Sequence, residues 1–340
     1  MLFIQKDYPL KSLNTFGVDA KAKYFISFDS IDDIEELNCL LTSRFENEKK
    51  FVLGGGSNVL FTEDFDGLVM QSHINNIIKE TNTDSIVTVE VGSGMVWDHF
   101  VAYCVSKGWG GVENLSHIPG VVGAAPVQNI GAYGIEAKDV IEEVCFWDFE
   151  TESIVVIKND DCHFGYRDSI FKHRYKGLAL VLSVTFKLTL KDHAINIGYG
   201  ALKDLESYGA DLSLTQVRER IVEIRESKLP NPEVIGNGGS FFKNPVLDKE
   251  VVDNLLKHYP QMVVYPLDSG KVKVAAGWLI EHAGWKGYTE GAVGVHDKQS
   301  LVLVNHGAAK GNDVVALAQK IIKDIDQKFG IKLEPEVIFL

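Results

Sequence analysis

The chain has 340 residues, 45% of them hydrophobic, and its 34 Lys+Arg against 47 Asp+Glu leave a formal net charge of −13. That length and apolar content suit two or three packed domains, while the acidic balance argues against nucleic acid or an anionic membrane as a partner, because both need a basic surface. Cys39, Cys104, Cys145 and Cys162 have no zinc spacing and the histidines form no H-E-x-x-H, so free thiols in a reducing cytosol are expected, with no metal.

Met1 to Leu10 has neither the basic nor the apolar region of an export signal, and no apolar run reaches membrane length, so a cytoplasmic protein is expected. The first predicted helix runs from Ser30 to Phe45, with Ile31, Ile34, Leu37, Leu40, Leu41 and Phe45 on one face and acids in its first turns. After the apolar run Phe51 to Leu53 comes a glycine loop, Gly54-Gly55-Gly56-Ser57-Asn58. Strands follow at Leu68 to Gln71 and Ile86 to Val91, then a helix from about Met95 to Lys107 that stops at Gly108.

The stretch Ile118 to Gly134 is unlike its surroundings. It holds four glycines, three alanines and two prolines among apolar residues, has no charge, and repeats at neither 3.6 nor 2.0. It is expected to be a buried irregular loop whose bare main chain lets a ligand lie close and points amides outward. Neither glycine loop has the lysine of a phosphate-transfer loop or the spacing of a Rossmann fingerprint. Two such loops could instead grip one large diphosphate cofactor.

Strands are expected at Val140 to Phe149, Ile154 to Ile157 and Leu178 to Leu190, the last alternating as a half-buried, edge-to-core strand. Ser213 and Gln216 form a capping box for a helix from Leu214 to Lys228, which Leu229-Pro230-Asn231-Pro232 ends. A domain boundary is placed near residue 210. Further helices are expected at Lys249 to His258, Ala275 to His282 and Asp313 to Phe329, the last capped by Asn312 and ended by Gly330, before a closing strand from Leu333 to Leu340.

Three places carry chemistry. Tyr166-Arg167-Asp168-Ser169 offers an arginine that also reads as a surface ion pair. Gly236 to Pro245 sets Ser240 on a glycine-bent backbone before two phenylalanines, where the hydroxyl is approachable, the rings exclude water and one donor can protonate a reactive carbon. Glu334-Pro335-Glu336-Val337 is an acidic pair that by itself reads as solvated.

Taken together, these motifs, with Ala275 to Ile280, resemble the UDP-N-acetylenolpyruvoylglucosamine reductase (UDP-N-acetylmuramate dehydrogenase) family, in order and from Asn14-Thr15-Phe16-Gly17 to the last residues. The resemblance implies an α+β chain: residues 1–210 an FAD-binding domain of the p-cresol methylhydroxylase/vanillyl-alcohol oxidase type in two lobes (about 1–70 and 71–210), residues 211–330 a substrate domain, and residues 331–340 a strand carrying Glu336 back to the active site. It implies non-covalent FAD, NADPH as electron donor, a sugar-nucleotide substrate, a monomer, and a role in peptidoglycan precursor synthesis.

Carried over by position, the catalytic roles fall on Arg167, Ser240 and Glu336. Reduction at C3 of the enolpyruvyl group builds charge at C2 that Arg167 and Glu336 stabilise, and Ser240 protonates C2, with Lys243 or Lys228 as the assisting group. FAD contacts are assigned to Gly54, Gly55, Gly56, Ser57, Asn58, Pro119, Gly120, Gly123, Ala124, Ala125, Asn129, Gly131, Ala132, Tyr133 and Gly134. Ala124-Ala125 stands where some members carry two serines, which leaves the diphosphate to backbone N–H groups. Substrate contacts are assigned to Tyr199, Lys228, Asn244, Tyr265 and Gln299, with Arg225 a further local cation and Tyr199 marking the branch whose tyrosine loop covers the substrate. Two other readings are an alcohol oxidase of the same fold, for which His117 is the candidate FAD tether, and a non-catalytic nucleotide-binding protein.

Overall fold

The computed structural model describes residues 1–267 and 269–340. They form two units: Met1–Tyr8, Ala22–Gly55 and Asp66–Ser227 in the first; Pro9–Lys21, Gly56–Phe65 and Lys228–Leu340 in the second. The expected boundary near residue 210 lies inside the first unit, and two N-terminal segments join the second.

In the first unit a four-stranded sheet has the order Gln5–Pro9, Lys21–Phe28, Phe65–Ser72, Lys49–Val52. A five-stranded antiparallel sheet has the order Ser153–Lys158, Ile141–Asp148, Ala179–Thr189, Ile86–Gly92, Ile77–Asn82. Helix Ile34–Ser43 follows a short 3-10 turn started by Ser30, whose hydroxyl accepts from the Asp32 amide at 3.1 Å while Asp33 accepts from the Ser30 amide at 3.0 Å. Its Ile34, Leu37 and Leu41 pack with Ile26, Phe28, Leu68, Met70, Trp147, Leu180 and Leu182. This cluster thus draws side chains from both expected lobes.

Strand Ala179–Thr189 is central rather than an edge strand; it is buried on both faces from Leu180 to Val184 and alternates thereafter, with Lys187 exposed. Its register against Ile141–Asp148 slips between Cys145↔Ser183 and Phe146↔Val181. One extra residue inverts the side on which later side chains emerge. Leu180 and Leu182 consequently enter the core beside helix Ile34–Ser43, whereas Val184, Phe186 and Leu188 enter the core around Trp97, Phe100 and Val101 of helix Trp97–Ser106.

Helix Leu214–Lys228 packs Val217, Ile221 and Ile224 against Leu202 and Leu205 of the 3-10 segment Gly200–Asp211. Its capping box forms as expected, with Gln216 accepting from the Ser213 amide at 2.8 Å and Ser213 accepting from the Gln216 amide at 3.3 Å.

The second unit has a sheet ordered Gly236–Ser240, Val302–Asn305, Val293–Val295, Thr289–Glu290, and a smaller one ordered Val246–Asp248, Lys271–Val274, Val264–Pro266. Helices Lys249–His258, Ala276–His282 and Gly311–Phe329 pack on them. The last helix starts earlier than Asn312 implies. Gly311 lies where any Cβ would strike the Phe61 carbonyl, Asp313 accepts from the Lys310 amide at 2.9 Å, and Asn312 donates to the Thr62 carbonyl at 3.2 Å instead of capping. The closing strand is also shorter than expected, Ile338–Phe339, paired in parallel with Val59–Leu60. Pro335 has no amide to give a ladder, which limits pairing upstream.

Candidate active site

In the first unit, the two glycine segments lie main chain on main chain. A Cβ on Gly55 would stand 2.8 Å from the Gly120 Cα, and one on Gly54 would stand 3.1 Å from Val121 Cγ2. Gln71 fixes the Gly54 carbonyl by donating to it at 2.9 Å, a contact no sequence pattern announces. The central segment is half-buried rather than buried, and it contains a 3-10 turn, Val122–Ala124, and a small hairpin, Gly131–Ala132 with Ile135–Glu136.

Its amides are unevenly used. Val122 donates to Met95, Gly123 to Ser93, Ala124 to Val121 and Ala125 to Val122, at 2.8 to 3.0 Å. The Ala124-Ala125 amides expected to meet a diphosphate are thus occupied inside the turn. Among the described residues the amides of Gly54, Gly55, Gly120 and Val121 have no acceptor. Undonated amides gathered on glycine backbone form an anion cradle that added side chains would fill, and this fits FAD.

Backbone strain collects here. Of the eight non-glycine residues with positive φ among the described residues, His117, Asn129, Tyr133 and Arg167 belong to this segment or touch it. Such residues persist only where surrounding bonds hold them. Arg167, at φ 54, donates from Nη2 to the Gly131 carbonyl at 2.9 Å and, at the long distance of 3.5 Å, from Nη1 to the Asn129 carbonyl; Lys172 donates to the Arg167 carbonyl at 2.9 Å. The arginine of the Tyr166–Ser169 motif is therefore held against the central loop.

Tyr199 is exposed and meets the Tyr133 ring edge to face at 5.4 Å. Behind Tyr133 lies Arg225, more important than its sequence position beside Lys228 implies. Burial lowers the affinity of its guanidinium for its proton, against the opposing influence of the nearby Tyr133 hydroxyl, and its Nε donates to the His117 carbonyl at 3.0 Å. Burial conversely raises the Tyr133 hydroxyl above its usual range, against the pull of Arg225. Arg218 grips Asp98 with two bonds of 2.6 and 2.8 Å. Burial of Asp98 favours the protonated acid, but Arg218 and the His117 amide outweigh it and hold the carboxyl below its usual range.

In the second unit the strand carrying Ser240 is irregular, its register slipping between Asn237 and Ser240. Buried Asn237 accepts from the Gly239 amide at 2.9 Å, and Gly239 has φ +67. The slip leaves Ser240 exposed. Phe241 and Phe242 do not screen its hydroxyl from water; both rings are 0–1% exposed within the core beneath it. The Glu336 amide donates to the Phe241 carbonyl at 2.8 Å and Asn58 donates to the Glu336 carbonyl at 3.2 Å, so Ser240, Asn58 and Glu336 are brought together from three distant stretches. Asn58 and its neighbours Gly56 and Ser57 thus belong to the Glu336 side of this arrangement. A Cβ on Gly56 would strike the Leu13 carbonyl.

Lys243 is 3.7 Å from Glu334, and Lys228 is exposed at its helix end. Asn244 accepts from the Ala276 amide at 2.9 Å, and Gln299 Oε1 lies 3.5 Å from the Cβ position of Gly277, so both stand at the start of helix Ala276–His282. Tyr265 is exposed beneath Lys273, whose Nζ is 5.6 Å from the ring centre. Pro119 is exposed, and Gly123, Ala132 and Gly134 line the central segment. Among the described residues no group of three or more His, Cys, Asp or Glu could hold a metal, and no helix is long and apolar enough to cross a membrane.

An FAD binding domain model matches residues 22–157, and the model of the UDP-N-acetylenolpyruvoylglucosamine reductase C-terminal domain matches residues 231–340. The reductase of Bacteroides fragilis is 45% identical over 338 residues, covering 99% of this chain and 100% of the relative. That of Chromobacterium violaceum is 45% identical over 344 residues, covering 100% and 99%. The crystal structure of the Thermus caldophilus reductase shares the fold with a TM-score of 0.69 at 22% identity, over 100% of this chain and 99% of that one. An FAD-binding domain followed by the reductase C-terminal domain, with relatives matched from end to end, shows that the chain is an oxidoreductase and belongs to the UDP-N-acetylenolpyruvoylglucosamine reductase family.

Proposed function

We propose that this chain reduces the enolpyruvyl group of UDP-N-acetylglucosamine enolpyruvate to UDP-N-acetylmuramate with NADPH, as a cytoplasmic monomer in peptidoglycan precursor synthesis. The observation that carries this reading is the clamp that holds Glu336 beside the residue following Ser240, on a strand bent to expose that serine. A hydroxyl and a carboxyl supplied from neighbouring stretches of main chain suit a reaction that builds negative charge next to a carbon awaiting a proton.

FAD, held by the free amides of the two glycine segments, would supply two-electron hydride chemistry between NADPH and C3 of the enolpyruvyl group. Ser240 gives its hydroxyl proton to C2 and recovers one from water, which its exposure allows. Arg167 meets the charge that spreads from C2 into the substrate carboxylate, and Glu336 does so in its protonated form, as a hydrogen-bond donor. Gly54, Gly55, Gly120 and Val121 donate to the FAD diphosphate. Lys228 and Arg225 attract the UDP diphosphate on an otherwise acidic chain, and Tyr199, Asn244, Tyr265 and Gln299 contact the rest of the substrate.

Anaerobic stopped-flow tests the proposal. NADPH should bleach the bound flavin, and the enolpyruvyl sugar nucleotide should then restore its colour. Bleaching without restoration would remove the substrate assignment, and absence of bleaching would remove NADPH.

A further inference from the structure

Position alone assigns Asn129 to FAD, yet its hydrogen bonds run elsewhere. It is fully buried at φ 45, a conformation that asparagine tolerates better than most residues. A carboxamide has two N–H donors, and both are used: Nδ2 donates to Glu136 Oε2 at 3.0 Å and to the Gly165 carbonyl at 2.9 Å. Oδ1 accepts from the Lys138 amide at 2.9 Å, and the Asn129 amide itself donates to Pro126 at 3.4 Å. No donor is left for a diphosphate.

These bonds converge on the base of the turn that carries Arg167. Gly165 and Asp168 pair both ways, at 3.0 and 3.2 Å, which leaves Tyr166 and Arg167 at the tip of a two-residue turn. The Gly165 carbonyl therefore receives two donors, Asp168 from within the turn and Asn129 from the central loop. The guanidinium reaches back to the carbonyls of Asn129 and Gly131. Turn base and arginine head are thus referred to one loop, the base through the Asn129 carboxamide and the head through the main-chain carbonyls of Asn129 and Gly131. We propose that Asn129 is a positioning residue for Arg167, fixing the guanidinium for its role in the reduction rather than holding the cofactor; this rests on the assignment of Arg167 above.

The test uses the FAD-loaded enzyme and compares Asn129→Asp, Asn129→Gly, Arg167→Ala and the double variant Asn129→Gly/Arg167→Ala in the two half-reactions. Asn129→Asp keeps the shape, the tolerance of positive φ and the Lys138 bond, but replaces both donors with an acceptor facing Glu136 and Gly165, so it serves if the glycine variant does not fold. Both Asn129 variants should slow flavin reoxidation by the enolpyruvyl substrate by roughly 10- to 100-fold, the effect of a displaced catalytic group. Flavin reduction by NADPH, FAD content and the flavin absorption spectrum should change less than about twofold on that scale. The Asn129→Asp defect should shrink as pH falls and the new acid gains a proton to donate to Gly165. The double variant should be no slower than Arg167→Ala, because groups acting through one another are not additive. Additive losses, matching losses in FAD affinity, or intact reoxidation in Asn129→Asp would overturn the proposal. If Arg167→Ala itself reoxidises normally, the role of Arg167 fails and this proposal with it; a slow Arg167→Ala beside normal Asn129 variants overturns this proposal alone.

Discussion

Gly54 and Gly55 of the first unit resemble Gly236 and Gly238 of the other in sequence, yet the two pairs are glycines for different reasons. The first pair brings backbone against the backbone of Gly120 and leaves amides without an acceptor. The second pair makes room for Phe16: a Cβ on Gly238 would stand 2.5 Å from Phe16 Cε2, and one on Gly236 would strike the Phe16 carbonyl. One set of glycines frees main chain for a ligand, and the other admits a core side chain. Glycine richness alone therefore does not identify a cofactor loop.

The largest expected effect tests what the second set supports. Ser240→Ala should slow flavin reoxidation by the enolpyruvyl substrate by roughly 10²-fold or more while NADPH reduces the flavin normally, since only the proton donor is lost; equal slowing in rapid-mixing traces of both half-reactions would contradict this. Gly55→Ala addresses the first set. Its methyl meets backbone that cannot rotate away, so FAD should bind about 10- to 100-fold more weakly by titration, from about 1–3 kcal/mol of overpacking. Unchanged affinity would mean the packed loops are not the cradle. Gly238→Ala should instead cost about 1–3 kcal/mol of stability in denaturant unfolding, because an aromatic ring must shift, and leave FAD content per folded molecule unchanged.

The smallest effect belongs to the Asp98–Arg218 pair behind the first set. A carboxyl held below its usual range stabilises the fold above its unfolded pKa, and that contribution disappears as pH falls through its folded value. Asp98→Asn should therefore melt below the parent chain at neutral pH, with the gap closing below about pH 4, near the ordinary aspartate value. A gap that persists in acid would show that packing, and not charge, holds this corner.

Much of this was legible in the sequence where the signal is local. Helices Lys249–His258 and Leu214–Lys228 follow from periodicity and stop signals, and the Ser213/Gln216 box from its spacing. Pairings across the chain were not. The bulge that turns Ala179–Thr189 from one core to the other leaves its alternation undisturbed in the sequence. Asn312 has a capping residue's chemistry but finds the Thr62 carbonyl instead. The motifs singled out Arg167, Ser240 and Glu336, but nothing local told that Gln71 pins Gly54, that Arg225 backs Tyr133, or that the Asn129 carboxamide is fully used within the protein.

The second unit also constrains how the polypeptide reaches its native form. Phe16, Val18 and Leu60 sit in its core beside Phe241 and Leu303, and Asn305 reaches the Phe16 carbonyl across 289 positions of chain. During synthesis these early residues leave the ribosome long before their partners exist, with apolar side chains that nothing yet covers. Maturation of this unit must wait for the last residues to emerge, which makes it a slow, non-local closure and the stage most open to aggregation. A fragment beginning at Lys228 would lack those side chains and should need the amino-terminal peptides added back to become a folded body.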